Sequence, residues 1–170
     1  LDLSAPFRER VMEPFVRAYE QGRTPNPCVT CNRTIKFGAL LEAAGQLGCG
    51  RLATGHYART ERDAGSGRVL LKRAVHPEKD QSYVLWSLSQ AQLERVCFPL
   101  GGLSKEEIRA IAEEQGLVSA RRRDSQDICF IPDGDYAAFL ERRGVALPPG
   151  DFVDEAGRVL GRHKGLPCYT

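Results

Sequence analysis

Cys28-Val29-Thr30-Cys31 places two thiols three residues apart, just after Pro25 and Pro27 and ahead of a helical pattern. Amide N–H groups at a helix N-terminus lower a thiol's pKa and favour thiolate, the form that attacks electrophiles and ligates metals. The pair therefore suits redox, nucleophilic or metal chemistry. A thioredoxin-like arrangement fits poorly, because no strand leads directly into the pair. A zinc ribbon needs a second Cys-x-x-Cys, and the sequence has none. Among the later thiols, Cys129 and Cys168 are the ones able to assist. Cys49 and Cys97 lie at the ends of apolar segments and are expected as small core residues. Spacing alone leaves catalysis, structural zinc and coincidence open.

Two further segments carry chemistry. Thr54-Gly55-His56-Tyr57 follows a short strand pattern, and in open α/β sheets ligands collect beyond the carboxyl ends of strands. Gly55 would let a ligand approach the backbone. His56 is a donor or acid/base candidate, set against an ordinary turn histidine. Lys79-Asp80-Gln81-Ser82 opens a segment with Asp80 as N-cap, where Lys79 beside helix-terminal amides could hold a phosphate. Capping alone is the simpler reading. The basic runs are Arg121-Arg122-Arg123 and, more loosely, Lys72, Arg73 and Lys79. On charge alone each is a solvated face.

The elements that must position these residues are legible by period and cap. Phe7, Val11, Phe15 and Tyr19 mark an amphipathic helix stopped at Gly22. Thr24–Cys28 reads as a stiff loop, with Asn32 capping a second helix that buries Phe37, Leu40, Leu41, Ala44 and Leu47 and ends at Gly48. Arg51–Thr54 is a strand; 57–62 and 68–74 are a hairpin. Asp80–Leu88 looks helical. Ser89 with Gln92, and Ser104 with Glu107, have capping-box spacing. Asp127–Ile131 is a buried-strand candidate, Tyr136–Arg143 a helix stopped by Gly144, and Phe152-Val153 with Val159-Leu160 a last hairpin. A helix feeding a strand that ends at glycine is half of an α/β unit.

The 170 residues carry 24 Lys and Arg against 22 Asp and Glu, a net charge of +2, with 42% hydrophobic residues. That composition excludes disordered and collagen-like classes. Apolar runs are too short for a membrane span, and Leu1-Asp2-Leu3-Ser4 does not open a secretory signal. A cytoplasmic location is expected, where the six cysteines stay reduced. The chain lacks an initiator Met, so it is expected to begin inside a longer protein.

Five stretches, in order, resemble the tRNA-specific 2-thiouridylase family: TPNPCVTCNRTIKF (24–37), LATGHYAR (52–59), KDQSYVLWSL (79–88), FPLGGLSKEEIRAIAEEQGL (98–117) and DSQDICFIPDGDYAAFL (124–140). RVLGRHKGLPCYT (158–170) is similar to the segment that leads into the family's C-terminal barrel. The family's Ser-Gly-Gly-Val-Asp-Ser type loop and its barrel are not in these residues, so an internal piece is expected. The resemblance implies an α/β fold. Residues 1–95, with 118–135 returning to them, would be the later part of a Rossmann-like ATP-pyrophosphatase (adenine nucleotide alpha hydrolase) domain. Residues 96–170 would be a small, mainly helical central domain and the start of the connection to the barrel.

The resemblance also implies an activity: ATP, with Mg2+, adenylates the C2 carbonyl oxygen of a tRNA wobble uridine, and sulfur then replaces it to give 2-thiouridine. Cys129 matches the persulfide carrier and Cys31 the nucleophile that releases sulfur by forming a Cys31–Cys129 disulfide. Gly55 matches an ATP contact. Asn26, Pro27 and Cys28 match the loop around the target base, which must leave its stack for chemistry at C2. His56, Lys79, Asp80 and Gln81 match tRNA-contacting positions, and Asp80 is also a proton-transfer candidate. The implied partners are the tRNA anticodon region and a sulfur donor, either a relay protein or a cysteine desulfurase, with no membrane. Many family members carry Asp where this chain has Cys28. A second route therefore stays open, with Cys28, Cys31 and Cys129 holding a [4Fe–4S] cluster with one open iron. A non-enzymatic, zinc-stabilised tRNA-binding module is the rival from another class.

Overall fold

The computed structural model describes residues 1–118 and 127–169. The Arg121-Arg122-Arg123 run lies outside the described residues, as do parts of the expected 118–135 return and of the 124–140 stretch. The chain forms two compact units. One takes residues 1–4 and the described residues from 28 to 118. The other takes residues 5–27 and the described residues from 127 to 169.

Entering the first unit from Pro27, a continuous helical path is α-helical over Pro27–Cys31, π-helical over Asn32–Leu40 and α-helical again over Leu41–Gln46. It starts at Pro27, five residues before the expected cap at Asn32. The ring fixes φ at a helical value and lacks only an N–H that the first turn leaves unpaired anyway. Asn32 therefore sits inside the helix, 2% exposed. Thr34 Oγ1 donates to the Thr30 carbonyl at 2.8 Å, a side-chain bond to the i−4 carbonyl of the kind that bends helices. Gly48, at φ +79°, closes the path, since only glycine adopts that conformation freely.

Strand β1 (Leu52–Ala53) then pairs in parallel with β4 (Val96–Cys97), in register Leu52↔Val96 and Ala53↔Cys97. Strands β2 (Ala58–Arg62) and β3 (Val69–Arg73) form the expected antiparallel hairpin. The Gln90 side-chain amide extends the edge of β3, accepting from Val69 N–H and donating to Val69 C=O, both at 2.9 Å. Both capping boxes form, at Ser89/Gln92 over Gln90–Leu93 and at Ser104/Glu107 over Lys105–Glu114. The core joins Phe37 and Leu41 of the helix to Ala58, Val69, Val84, Leu85, Leu88, Leu93, Val96 and Phe98. Cys97 is half-buried, but Cys49 is exposed and not the core residue expected.

Asp80–Leu88 is not a regular helix. One 3-10 turn, Pro77–Lys79, precedes it and another, Ser82–Val84, lies within it. Asp80 accepts from the Ala74 N–H at 2.8 Å and from the Ser82 hydroxyl at 2.7 Å, bonds that draw the backbone into turns instead of an i→i+4 ladder.

In the second unit, the N-terminal helix is α-helical over Ser4–Phe7, π-helical over Arg8–Met12 and α-helical over Glu13–Glu20. It packs Phe15 and Tyr19 against Ile131, Phe139, Leu140 and Val145. Phe15 meets Phe130 and Phe139 edge-on at 5.3 and 6.0 Å between ring centres. Helix Tyr136–Arg142 is capped by Asp135, whose side chain accepts from Ala138 N–H. Strands β5 (Gly150–Val153) and β6 (Val159–His163) form the last hairpin. Asp127–Ile131 is a turn, closed by Ile131 N–H on the Ile128 carbonyl at 2.9 Å, and not the strand expected.

Candidate functional site

Cys28 lies in the first turn of the helix that begins at Pro27, and Cys31 lies one turn further on. The side chain of Cys28 is exposed and that of Cys31 half-buried. Asn26 is exposed and Pro27 buried. Asn32, next after Cys31, buries a side-chain carbonyl oxygen that has no hydrogen-bond partner among the described residues. Such an oxygen costs free energy unless a donor reaches it.

The parallel pair β1–β4 carries the second group. Thr54 N–H donates to the Cys97 carbonyl at 3.1 Å, which continues the β1–β4 ladder by one bond. Gly55 follows, exposed. His56 turns inward and is 7% exposed. Its Nδ1 is hydrogen-bonded to Thr54 Oγ1 at 2.8 Å, and its ring lies 5.8 Å from Phe37 and 6.0 Å from Phe98. Burial first, and the Lys36 charge second, push its pKa down to about 4, so the ring is neutral at physiological pH.

The loop with Lys79, Asp80 and Gln81 closes against this strand end. Gln81 N–H donates to the Tyr57 carbonyl at 2.8 Å, and Gln81 Oε1 accepts from Tyr57 N–H at 3.0 Å. This reciprocal pair brings Gly55 and His56 beside Lys79–Gln81. Burial opposes the charge of Asp80. The Ser82 hydroxyl, the Ala74 and Ser82 amides and Arg73 outweigh that, holding its carboxyl below the ordinary range. A carboxylate kept ionised and engaged in this way holds its loop and is a poor proton donor at neutral pH. In the looser basic run, Lys72 pairs with Glu61 at 2.6 Å and Arg73 with Asp80 at 3.6 Å.

Cys129 sits in the second unit, in the turn closed by Ile128 and Ile131, with its thiol exposed. Ile131 is buried in the core and Ile128 and Phe130 pack against it, so the turn presents the cysteine outward from a fixed base. Asp127 adds a brace, accepting from Ile128 N–H at 2.8 Å and from the Tyr136 hydroxyl. Cys168 is exposed near Asp133–Ala137. Within each unit, among the described residues, no three His, Cys, Asp or Glu side chains are grouped as metal ligands.

Two residues gain a task only from the structure. Thr54 belongs to a motif whose types do not assign it one; its spacing of two from His56 is the available signal. Gly101 lies where a Cβ would overlap the Ala58 carbonyl, and its own carbonyl accepts from Val75 N–H at 2.9 Å. The Gly-Gly of FPLGG hints at close approach without naming the partner.

A family described as "tRNA methyl transferase HUP domain" matches residues 1–133. The chain belongs to this family. Membership gives the matched residues the Rossmann-like, nucleotide-binding fold class of the HUP domain. Among curated relatives, a Thermoanaerobacter protein named tRNA-specific 2-thiouridylase MnmA 2 is 53% identical over the whole chain, which covers 47% of it. The MnmA of Syntrophomonas wolfei is 51% identical over the whole chain and 50% of its own length. That of Chloroflexus aggregans is 55% identical over 96% of the chain and 46% of its own length. The chain spans about half the length of the curated relatives it matches. No helix among the described residues is long and apolar enough to cross a membrane.

Proposed function

We propose that the complete protein is a tRNA-uridine 2-sulfurtransferase and that this chain supplies its two working thiols and part of its nucleotide site. The observation that carries the reading is identity above one half, along the whole chain, to proteins named tRNA-specific 2-thiouridylase. The physical chemistry of the residues supports it. Sulfur transfer needs one thiol to carry sulfur and another to resolve it. An exposed cysteine on a braced turn suits the carrier, which must be loaded by a donor protein.

In this reading ATP, with Mg2+ on its phosphates, adenylates the C2 oxygen of the wobble uridine and releases pyrophosphate. Cys129 carries the persulfide. The Cys31 thiolate attacks the Cys129 Sγ, the Sγ–S bond breaks, and hydrosulfide leaves as the Cys31–Cys129 disulfide forms. Hydrosulfide attacks C2, and AMP departs with the former carbonyl oxygen. A thiol reductant, oxidised in turn, restores both cysteines. Gly55 meets the nucleotide. Asn26, Pro27 and Cys28 receive the flipped base, and Lys79–Gln81 belong to the tRNA side. The sulfur donor is a relay protein or a cysteine desulfurase, and the location is the cytoplasm.

The domain division proposed for the complete protein is 1–95 with 118–135 in the ATP domain and 96–170 in a small, mainly helical central domain. In this chain residues 96–118 lie with 28–95, so limited proteolysis of the complete protein is the test of that boundary. For the activity, the test is nucleoside analysis of tRNA incubated with the full-length protein, ATP and a persulfide source. Wild type forms 2-thiouridine; Cys31→Ser and Cys129→Ser do not, while their circular dichroism is unchanged. Wild-type turnover from either variant contradicts the carrier and resolving roles of these two thiols. Unfolding of Cys129→Ser would instead favour a zinc-stabilised binding module.

A further inference from the structure

We infer that Thr54 and His56 are a positioning pair that fixes the main chain at Gly55 for the nucleotide, and that the His56 ring itself does not meet RNA. The inference rests on the ATP contact proposed at Gly55.

The geometry around that glycine carries the argument. Gly55 is exposed, and a Cβ built on it would meet nothing nearer than Leu100 Cδ1 at 3.6 Å. That is ordinary contact, so internal packing does not demand glycine there. Close approach of a ligand to the main chain does. The flanking residues, by contrast, are all tied down. Thr54 is held through its N–H to β4. Tyr57 is held at both its N–H and its C=O by Gln81. Between them, Thr54 Oγ1 and His56 Nδ1 join across the glycine at 2.8 Å, closing a small ring from residue i to residue i+2. The imidazole is wedged between Phe37 of the helix and Phe98 of the segment after β4. A ring buried to 7% exposure has little surface to offer a phosphate or a base. What it does is anchor one end of the bond that sets the direction of the Gly55 peptide. A polar bond buried in this way orients a group at low entropic cost when the ligand arrives.

The test uses the full-length protein and reads ATP and tRNA separately. Thr54→Val keeps the shape and removes the hydroxyl. His56→Phe keeps a ring and removes the nitrogen. Each is expected to raise the KM for ATP about tenfold, the effect of losing one buried hydrogen bond. The KM for tRNA stays within about twofold, inside the scatter of surface effects. Thr54→Ser and His56→Asn retain a hydrogen-bonding atom and recover wild-type ATP dependence. Because both variants break one bond, the double variant is no worse than either single one.

A rise in the KM for tRNA with ATP dependence unchanged would overturn the inference and put His56 on the RNA. Multiplying effects in the double variant would overturn it as well. If His56→Phe does not fold, the near-isosteric Thr54→Val still decides. Equilibrium ATP binding by calorimetry reads the pair without turnover. A wild-type protein that binds ATP but makes no 2-thiouridine therefore counts against the proposed function alone.

Discussion

Lowering the pH should loosen the first unit through His56, by an amount that follows from its burial. An unfolded chain exposes the imidazole to water, where it takes a proton near 6.5; in the fold the value is about 4. Between those pH values the unfolded state binds more protons, so stability falls as pH falls. The loss begins below about pH 6.5 and is complete once pH has passed below about 4. At about 1.36 kcal/mol per pH unit, that gap amounts to roughly 3 kcal/mol. Carboxylates also titrate in this window, so wild type should be compared with His56→Asn, which keeps a polar partner for Thr54 and does not titrate. Urea unfolding of both proteins at a series of pH values gives the stability difference, in which the carboxylate contributions cancel. The wild-type advantage at neutral pH should shrink by roughly 3 kcal/mol on going to pH 4. A difference that is flat with pH would refute the reasoning, because it would mean that the ring titrates alike in the folded and unfolded states.

Gly101→Ala forces a Cβ onto the Ala58 carbonyl, so it should destabilise the first unit by about 3 kcal/mol, the upper end for overpacking. An unchanged urea midpoint would contradict the close approach. Asp80→Ala removes acceptors from the Ala74 amide and the Ser82 hydroxyl and should cost about 2 kcal/mol. It should also speed proteolysis within residues 76–82, and an unchanged cleavage rate would show that the loop is held by other bonds.

Local chemistry makes much of the fold readable in advance. The two capping boxes, the β2–β3 hairpin, the helix through Val11, Phe15 and Tyr19, and the stops at Gly22, Gly48 and Gly144, all at positive φ, depend on neighbours a few residues away. Pattern and structure part where distant partners decide. The 80–88 segment has apolar residues at helical spacing, yet Asp80 and Gln81 spend their side chains on Ala74 and Tyr57, and no local pattern encodes those bonds. The 127–131 run looks like a strand because its apolar residues are dense. In the fold Ile128, Phe130 and Ile131 reach the core from a turn, and that turn exposes Cys129. Paired with Pro25, Pro27 reads as a helix breaker, although at a first turn it is a helix starter. The candidate site residues stand out through their motifs, but what holds them does not. The inward turn of His56 depends on Phe37 and Phe98, 19 and 42 residues away along the chain.

The central claim is that sulfur passes from Cys129 to uridine with Cys31 as the resolving thiol. It is tested most directly in one turnover of the full-length protein, loaded on Cys129 with a heavy-sulfur persulfide and given ATP and tRNA without reductant. Mass spectrometry of the nucleosides and of the tryptic peptides should find the heavy atom in 2-thiouridine and Cys31 joined to Cys129. Heavy-labelled 2-thiouridine formed with both cysteines still reduced, or label left on Cys129 while unlabelled 2-thiouridine accumulates, would contradict the account.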